Sequence, residues 1–225
     1  MSILDNLKRI KTELPSEVTV VPISKTHSPE QMMEVYAGGN RIFGENKVNE
    51  LVEKYELLPK DIDWHFVGHL QRNKVKYIAP FVSLIHSVDS MRLLLEVNKL
   101  AKRNERIIDC LLQVHIAEED TKYGLSPDEL KQTLSSEAYK NLTHIKVIGL
   151  MGMATFTDDM EQVRKEFRSL SVLYKDVKSN YFGNSNDFSV LSMGMSGDYS
   201  IAVEEGSTMV RVGSIIFGDR SYGNK

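Results

Sequence analysis

The sequence predicts an α/β protein of the (β/α)8 TIM-barrel class, and three observations lead to that prediction. Short runs rich in β-branched and aromatic residues alternate with helical patterns along all 225 residues. There are eight such runs, and several are nearly continuous apolar segments, as expected of parallel strands covered on both faces. No linker-like stretch divides the chain, which predicts one domain spanning residues 1–225.

The eight strand candidates follow one another at the spacing of βα units. They are VTVVPI (18–23), RIF (41–43), WHFV (64–67), VSLIHS (82–87), IIDCLLQV (107–114), HIKVIGL (144–150), FSVLSM (188–193) and TMVRV (208–212). Repeated βα units form a parallel sheet, and eight of them favour a closed barrel. A seven-stranded doubly wound sheet is the alternative, because RIF is short and Pro22 is unfavourable in a central strand.

The segments between these runs carry helix start signals. Ser28 and Ser126 each begin a capping box with proline at the first helical position. We predict that Asp89 caps the helix that follows it, and that a long amphipathic helix spans residues 159–178. The N-terminal segment MSILDNLKRIKTEL has the pattern of an amphipathic helix and lacks the apolar stretch of a signal peptide.

Composition restricts the classes of partner. Charged residues make up 26% of the chain and the net charge is −3, so neither nucleic acid nor a membrane is indicated as a partner. No apolar run approaches the length of a membrane span. We expect a cytoplasmic protein that is a monomer or a weak dimer. The single cysteine, Cys110, lies in an apolar run, which predicts a buried and inert thiol.

In a parallel barrel the functional site lies at the carboxyl ends of the strands. Lys25 lies two residues after the first strand candidate, where partial desolvation lowers the pKa of its amine and lets it attack an aldehyde. Position alone favours the simpler interpretation, a solvated lysine that closes a strand. The sequence after the last two strands changes that balance.

The last two strand candidates run into glycine- and serine-rich turns. Ser196 is a candidate N-cap of the helix after the seventh strand, and Gly213 and Ser214 follow the eighth. Free backbone N–H groups at such turns bind phosphate, and barrels commonly bind phosphate after strands seven and eight. Together with Lys25, these turns suggest a phosphorylated aldehyde as the ligand.

Arg211 has three possible roles in this arrangement. Its guanidinium can bind a phosphate, or form a salt bridge inside the barrel. If it faces a pyridine nitrogen, it keeps that nitrogen unprotonated and weakens the ring as an electron sink. His86 is interpreted as a strand-end histidine with its hydrogen bonds satisfied.

Two other patterns are rejected. His65 and His69 are four residues apart but lack the glutamate of a zinc-protease motif, and Asp219-Arg220 replaces the lysine of a P-loop. We therefore predict no metal ligand, and we assign no catalytic residue.

Eight segments in order resemble the pyridoxal phosphate homeostasis protein family over nearly the whole chain. They are ISKT around Lys25, FGENKVNE (43–50), WHFVGHLQRNK (64–74), IHSVDS (85–90), KYG (122–124), GLM (149–151), SMGMSGD (192–198) and RVGSIIFG (211–218). The resemblance implies a barrel similar to the N-terminal domain of alanine racemase. This chain departs from the family pattern at Pro22 and at His115, where asparagine is common.

The resemblance also implies a cofactor and its contacts. Lys25 would hold pyridoxal 5′-phosphate (PLP) as an internal aldimine, a Schiff base, and Arg211 would face the pyridine nitrogen. The phosphate would be cradled by Ser196, Gly213 and Ser214. Asn46 and Ser192 would line the wall of the site.

The resemblance implies a role in PLP and amino-acid homeostasis. We compare three functions and predict the first, a carrier with little or no turnover. The first is a carrier that buffers the reactive aldehyde and hands PLP to PLP-dependent apoenzymes. The second is a weak amino-acid racemase, which needs proton donors on both faces of the substrate carbon. Alanine racemases take the second donor from a β-rich domain, and we expect no such domain after the eighth βα unit. The third is an aldolase that uses Lys25 on a sugar phosphate without a cofactor, which would be colourless.

Overall fold

Eight parallel strands form one sheet in a computed structural model that describes residues 2–118, 123–183 and 185–218. The strands are β1 (Thr19–Pro22), β2 (Ile42–Glu45), β3 (Asp63–Phe66), β4 (Leu84–Val88), β5 (Ile108–Val114), β6 (Ile145–Gly152), β7 (Val190–Ser192) and β8 (Met209–Val212). Their order in the sheet is β1-β8-β7-β6-β5-β4-β3-β2. A parallel bridge between Ile23 and Gly44 joins the two ends, so the sheet closes into a barrel. The predicted class is confirmed, and the doubly wound alternative is wrong.

Pro22 lies at the seam of this barrel. The N–H groups of Thr19 and Ile23 donate to β8, whereas the N–H of Ser24 donates to Gly44 of β2. Donors alternate sides along a strand, so the nitrogen of Pro22 faces β2. Proline has no N–H to give to that side. The seam between β1 and β2 is therefore the place in this sheet that accommodates a proline.

Helices surround the barrel. They are α1 (Ile3–Glu13), α2 (Pro29–Ala37), α3 (Val48–Leu57), α4 (Val75–Ile78), α5 (Met91–Arg103), α6 (Pro127–Ser135), α7 (Glu137–Lys140), α8 (Met160–Val177), α9 (Tyr199–Glu204) and α10 (Ser214–Phe217). A 3₁₀ turn (Arg72–Lys74) leads into α4, and a π-helical turn (Lys178–Phe182) follows α8. No helix in the described part of the chain combines the length and the apolar character needed to cross a bilayer.

Most helix caps follow the sequence signals, and two predicted caps do not: Asp89 before α5 and Ser196 before α9. Both predicted capping boxes are present, at Ser28 before α2 and at Ser126 before α6. The prediction that Asp89 caps α5 is wrong, because Ser90 is the extended residue whose hydroxyl accepts the Leu93 N–H. Asp89 instead lies 3.3 Å from the Nδ1 atom of His69.

The apolar core has two parts. One lies between the barrel and the helices and includes the buried Trp64 and Phe167. The other fills the inside of the barrel, where side chains from five strands or their ends meet: Val21, Ile23, Leu84, Leu111, Met151 and Met209. Cys110 is buried, as predicted, and burial raises the pKa of its thiol.

Candidate functional site

The end of β1 carries Lys25 to the carboxyl face of the barrel. Ser24 is fully buried, whereas Lys25 is half-buried and the next residue, Thr26, is exposed. Thr26 has φ of +67°, a left-handed conformation that disfavours residues with a Cβ atom. The chain therefore turns sharply directly after Lys25.

A cluster of charged groups, in which Lys54 and Glu45 are buried and Glu50 is partly buried, holds this turn in place. The ammonium of Lys54 donates to the carbonyl oxygen of Ser24 at 2.7 Å, to Glu45 Oε1 at 2.7 Å and to Glu50 Oε1 at 2.8 Å. All three donors of the ammonium are thus used. The Ser24 hydroxyl donates to Glu45 at 2.7 Å, and the Thr26 N–H donates to Glu50 at 2.6 Å. The residues on both sides of Lys25 are fixed to α3 and to the end of β2.

Burial of the Glu45 carboxylate in this cluster is electrostatically unfavourable. Burial raises the pKa of its carboxyl group, and the Lys54 ammonium and the Ser24 hydroxyl oppose that rise. Its carboxylate is in contact with Lys54, whose side chain is only 6% exposed. A buried pair of this kind is sensitive to removal of either partner.

The turns after β7 and β8 meet beside the end of β1. The hydroxyl of Ser196 accepts the N–H of Gly213 at 3.3 Å, which ties the two turns together. A Cβ atom on Gly213 would lie 3.1 Å from the carbonyl oxygen of Ile23. Gly213 therefore approaches the backbone of β1 two residues before Lys25.

Backbone donors at these turns are available to an anion. Within the described residues, no protein acceptor is in place for the N–H groups of Ser196, Gly197 and Ser214. The prediction that Ser196 caps α9 is wrong, because the helix begins only at Tyr199 after Asp198. The segment before it forms a turn in which Asp198 accepts the N–H of Met195. Its amides therefore belong to a rim of turns, together with Gly213 and Ser214.

Arg211 lies inside the barrel at the level of the strand ends. Its guanidinium donates to the Ser192 hydroxyl at 2.7 Å and to the carbonyl oxygen of Gly152 at 3.1 Å. These acceptors are the last residues of β7 and β6. Arg211 is 4% exposed, and burial lowers its pKa to about 10. No carboxylate in the described part of the chain forms a salt bridge with it, so the predicted alternative of a salt bridge within the barrel is wrong.

Two buried histidines extend the contacts of Ser192. The Nδ1 atom of His86 lies 3.1 Å from the Ser192 hydroxyl, and its Nε2 atom lies 3.1 Å from His65 Nδ1. Burial lowers the pKa of His65 to about 4. Burial, His65 and Arg211 together lower the pKa of His86 well below its usual value. Both imidazoles are therefore neutral at neutral pH.

Asn46 follows β2 at the mouth of the barrel. Its Oδ1 atom is buried and has no hydrogen-bond partner among the described residues. A Cβ atom on Gly68 would lie 2.1 Å from the carbonyl oxygen of Asn46, so glycine is required there to let the Asn46 backbone pass. A buried acceptor without a partner is unfavourable unless a ligand supplies a donor.

An open groove of about 1100 Å³ lies over this side of the mouth. Its lining includes Thr26, Asn46, Glu50 and Lys54. It therefore gives access to the segment around Lys25. The described residues hold no cluster of three His, Cys, Asp or Glu side chains arranged to bind a metal ion.

The residues predicted from the sequence thus lie at one end of the barrel. They are Lys25, Asn46, Ser192, Ser196, Arg211, Gly213 and Ser214. Sequence reasoning missed Glu45, Glu50 and Lys54, and it treated His86 only as a satisfied histidine. The alternation of strand positions could have placed His86, Ser192 and Arg211 inside the barrel. Each stands two residues after a side chain that faces the apolar interior: Leu84, Val190 and Met209.

Comparison with known proteins places this geometry in a family. The model of the alanine racemase N-terminal domain matches residues 1–221. A protein of Aquifex aeolicus named pyridoxal phosphate homeostasis protein is 42% identical over 200 residues, covering 88% of this chain and 86% of the relative. A mouse protein of the same name is 34% identical over 232 residues, covering 98% of this chain and 84% of the relative.

Solved structures agree on the fold. PipY of Synechococcus elongatus, whose structure was solved with PLP bound, has a TM-score of 0.87 and 31% identity, covering 96% of this chain and all of PipY. Alanine racemase of Clostridium difficile has a TM-score of 0.77 at 14% identity, covering 100% of this chain and 58% of the racemase, which is a likeness of fold alone.

The fold and the site define a barrel of the alanine racemase N-terminal-domain class, with a lysine after its first strand and, after its last two, turns whose Ser196, Gly197 and Ser214 N–H groups have no protein acceptor among the described residues. Within that class, the chain belongs to the pyridoxal phosphate homeostasis protein family.

Proposed function

We propose that this chain binds PLP as a Schiff base on Lys25 and serves in PLP homeostasis as a carrier. The observation that carries the proposal is the close approach of Gly213 to Ile23. A Cβ atom on Gly213 would lie 3.1 Å from the carbonyl oxygen of Ile23. This approach brings the N–H groups of Ser196, Gly197 and Ser214, which have no protein acceptor among the described residues, beside the segment that leads from β1 to Lys25. The names of the relatives and the PLP in PipY support the same ligand.

The residues at the mouth fit PLP in three respects. The N–H groups of Ser196, Gly197 and Ser214 suit the phosphate. The buried guanidinium of Arg211 has donors beyond the two it gives to Ser192 and Gly152, which suits the pyridine nitrogen. The unpaired Oδ1 atom of Asn46 suits a donor on the ligand.

The chemistry at Lys25 is a condensation. PLP supplies an aldehyde carbon, the ε-amine adds to it, a C=N bond forms and the aldehyde oxygen leaves as water. The cluster of Lys54, Glu45 and Glu50 keeps the backbone around Lys25 in place while this happens. The rim fixes the phosphate end, so the aldehyde end is directed to the amine.

The carrier role follows from the same residues. A cationic Arg211 beside the pyridine nitrogen keeps that nitrogen unprotonated and limits its use as an electron sink. The bound cofactor is then stored with little turnover. Incubation with L-alanine and measurement of D-alanine tests this: we expect no racemisation above the rate of free PLP, and sustained turnover would make the chain a racemase.

The lysine assignment is tested with matched variants. Lys25→Ala should lose the yellow absorbance of the bound cofactor while keeping the circular dichroism spectrum. Lys47→Ala, which removes an exposed lysine from the same groove, should keep the absorbance. Full absorbance in the Lys25→Ala protein would place the cofactor on another lysine.

Transfer to apoenzymes is tested by competition. The loaded chain is mixed with a PLP-dependent apoenzyme in the presence of a phosphatase that destroys free PLP. Direct transfer predicts reactivation at a rate that the phosphatase does not reduce. Loss of reactivation in the presence of phosphatase would show that PLP passes through solution, and the chain would then be a buffer only.

A further inference from the structure

A chain of buried hydrogen bonds crosses the inside of the barrel behind Arg211. It runs from Arg211 on β8 to Ser192 on β7, then to His86 on β4 and His65 on β3, over distances of 2.7, 3.1 and 3.1 Å. All four side chains are buried, with exposures of 4%, 0%, 0% and 6%. The apolar side chains of Leu84, Val190 and Met209 lie one step below on three of these strands.

The hydrogen bonds of this series all run in one direction, from Arg211 toward His65. A guanidinium has donors only, so the Ser192 hydroxyl oxygen must accept from Arg211. The serine proton then needs an acceptor, and His86 Nδ1 is the one within reach among the described residues. His86 must therefore carry its proton on Nε2, from which it donates to His65 Nδ1. His65 in turn carries its proton on Nε2.

The neutral state of both imidazoles is part of this arrangement. An imidazolium at His86 would have a proton on Nδ1 facing the serine, which already accepts from Arg211. It would also place a second buried cation on the far side of Ser192 from the guanidinium. Two like charges this close are unfavourable in a region of low dielectric. The arrangement thus leaves Arg211 as the cation among these four hydrogen-bonded side chains.

We propose that Ser192, His86 and His65 are positioning residues that fix the rotation of the Arg211 guanidinium and keep it the donor toward the ligand ring. This inference rests on the proposed function, because it takes the ligand to be PLP. Ser192 and the carbonyl oxygen of Gly152 each accept from one terminal nitrogen of the guanidinium, which leaves its remaining N–H groups to the ligand. The two histidines act through Arg211 and touch no reacting atom.

The donor-to-acceptor direction of this hydrogen-bond series is tested on the unliganded protein. Histidine labelled with ¹⁵N distinguishes protonated from unprotonated ring nitrogens in the NMR spectrum, and His86→Gln and His65→Gln variants assign the two signals. We expect Nδ1 unprotonated and Nε2 protonated in both residues at pH 7. A proton on His86 Nδ1, or an imidazolium, would overturn the proposal whether or not PLP binds.

The positioning role is tested on the loaded protein. Ser192→Ala and His86→Leu should each raise the dissociation constant for PLP threefold or more and shift the pH midpoint of the cofactor absorbance. His144→Leu, which changes a histidine beside the start of β6 at the opposite end of the barrel, should do neither. His86→Gln, which keeps a hydrogen-bonding group, should recover part of the effect.

The two proposals fail in different ways. Wild-type affinity and an unchanged pH midpoint in both Ser192→Ala and His86→Leu would refute the positioning role and leave Lys25 as the attachment site. If wild-type protein forms no imine with PLP, the proposed function fails. The NMR result still decides the donor-to-acceptor direction of the hydrogen-bond series.

Discussion

The ammonium of Lys54 donates to the carbonyl oxygen of Ser24 across 2.7 Å, one residue before Lys25 in the sequence. It also meets Glu45 and Glu50, whose carboxylates reach the residues on both sides of Lys25. Lys54 and Glu45 are buried, and the ammonium is fully hydrogen-bonded. It therefore stabilises the fold and the position of the proposed attachment site together.

Removing the Lys54 ammonium should destabilise the protein. Lys54→Met leaves the Glu45 carboxylate buried without its counter-ion, which costs about 3–5 kcal/mol of unfolding free energy. Urea unfolding measures the loss. Lys99→Met, at an α5 lysine whose side chain is 73% exposed, should change stability by less than about 0.5 kcal/mol. Equal stability of the two variants would show that the cluster does not hold the turn.

Removing the Arg211 cation should weaken PLP binding without lowering the stability of the protein. Arg211→Met removes a buried charge that has no salt-bridge partner among the described residues, so stability should be unchanged or increased. PLP affinity should fall tenfold or more, the effect of losing a charge-assisted hydrogen bond of about 1.5–3 kcal/mol. Urea unfolding and absorbance titration measure the two quantities.

The exposed Arg92 on α5 provides the control for that change. Arg92→Met should alter neither stability nor affinity. Unchanged PLP affinity in the Arg211→Met protein would place Arg211 away from the ligand.

Stability should fall as the pH is lowered through the range set by His65. Its pKa is about 4 in the folded protein, because burial disfavours the imidazolium, and 6.5 in an ordinary environment. Between these values the unfolded chain binds more protons than the folded one, so the unfolding free energy decreases as pH falls. The full contribution is present above pH 6.5, and about 3 kcal/mol is lost by pH 4. His86 changes stability in the same direction.

Unfolding free energies measured in urea from pH 7 to pH 4 check this slope. His65→Gln should reduce the pH dependence, whereas His144→Gln should leave it as in wild type. A His65→Gln protein with the wild-type slope would mean that His65 is protonated in the folded state.

Cys110 should be unreactive in the folded protein. Its thiol is fully buried in β5, and burial raises its pKa, so the reactive thiolate is absent at neutral pH. A chromogenic disulfide reagent in excess should label it only as fast as the protein opens, and urea should accelerate the reaction. Immediate labelling without denaturant would contradict the buried position.

The sequence was sufficient to predict the strands and most caps, because those signals are local. Buried apolar runs located all eight strands, and the serine-proline capping boxes located α2 and α6. The prediction for Ser196 failed because the chain first makes a turn around Asp198 before α9 begins. The single-domain organisation of residues 1–225 stays a prediction, and part of the KYG segment lies outside the described residues.

The site was predicted in part, because its contacts join distant parts of the sequence. Lys54 and Ser24 are 30 residues apart, and His86 and Ser192 are 106 residues apart. Composition and periodicity show which side chains face inward, but they do not show which of them meet. Closure of the barrel brings these residues together.

Borohydride reduction followed by peptide mass mapping tests the central proposal most directly. Protein loaded with PLP is reduced, digested and searched for a lysine that carries the pyridoxyl phosphate group. The proposal predicts that the modification is on Lys25 and is absent from unreduced protein. Modification of another lysine, such as Lys47 or Lys74, with Lys25 unmodified would contradict it.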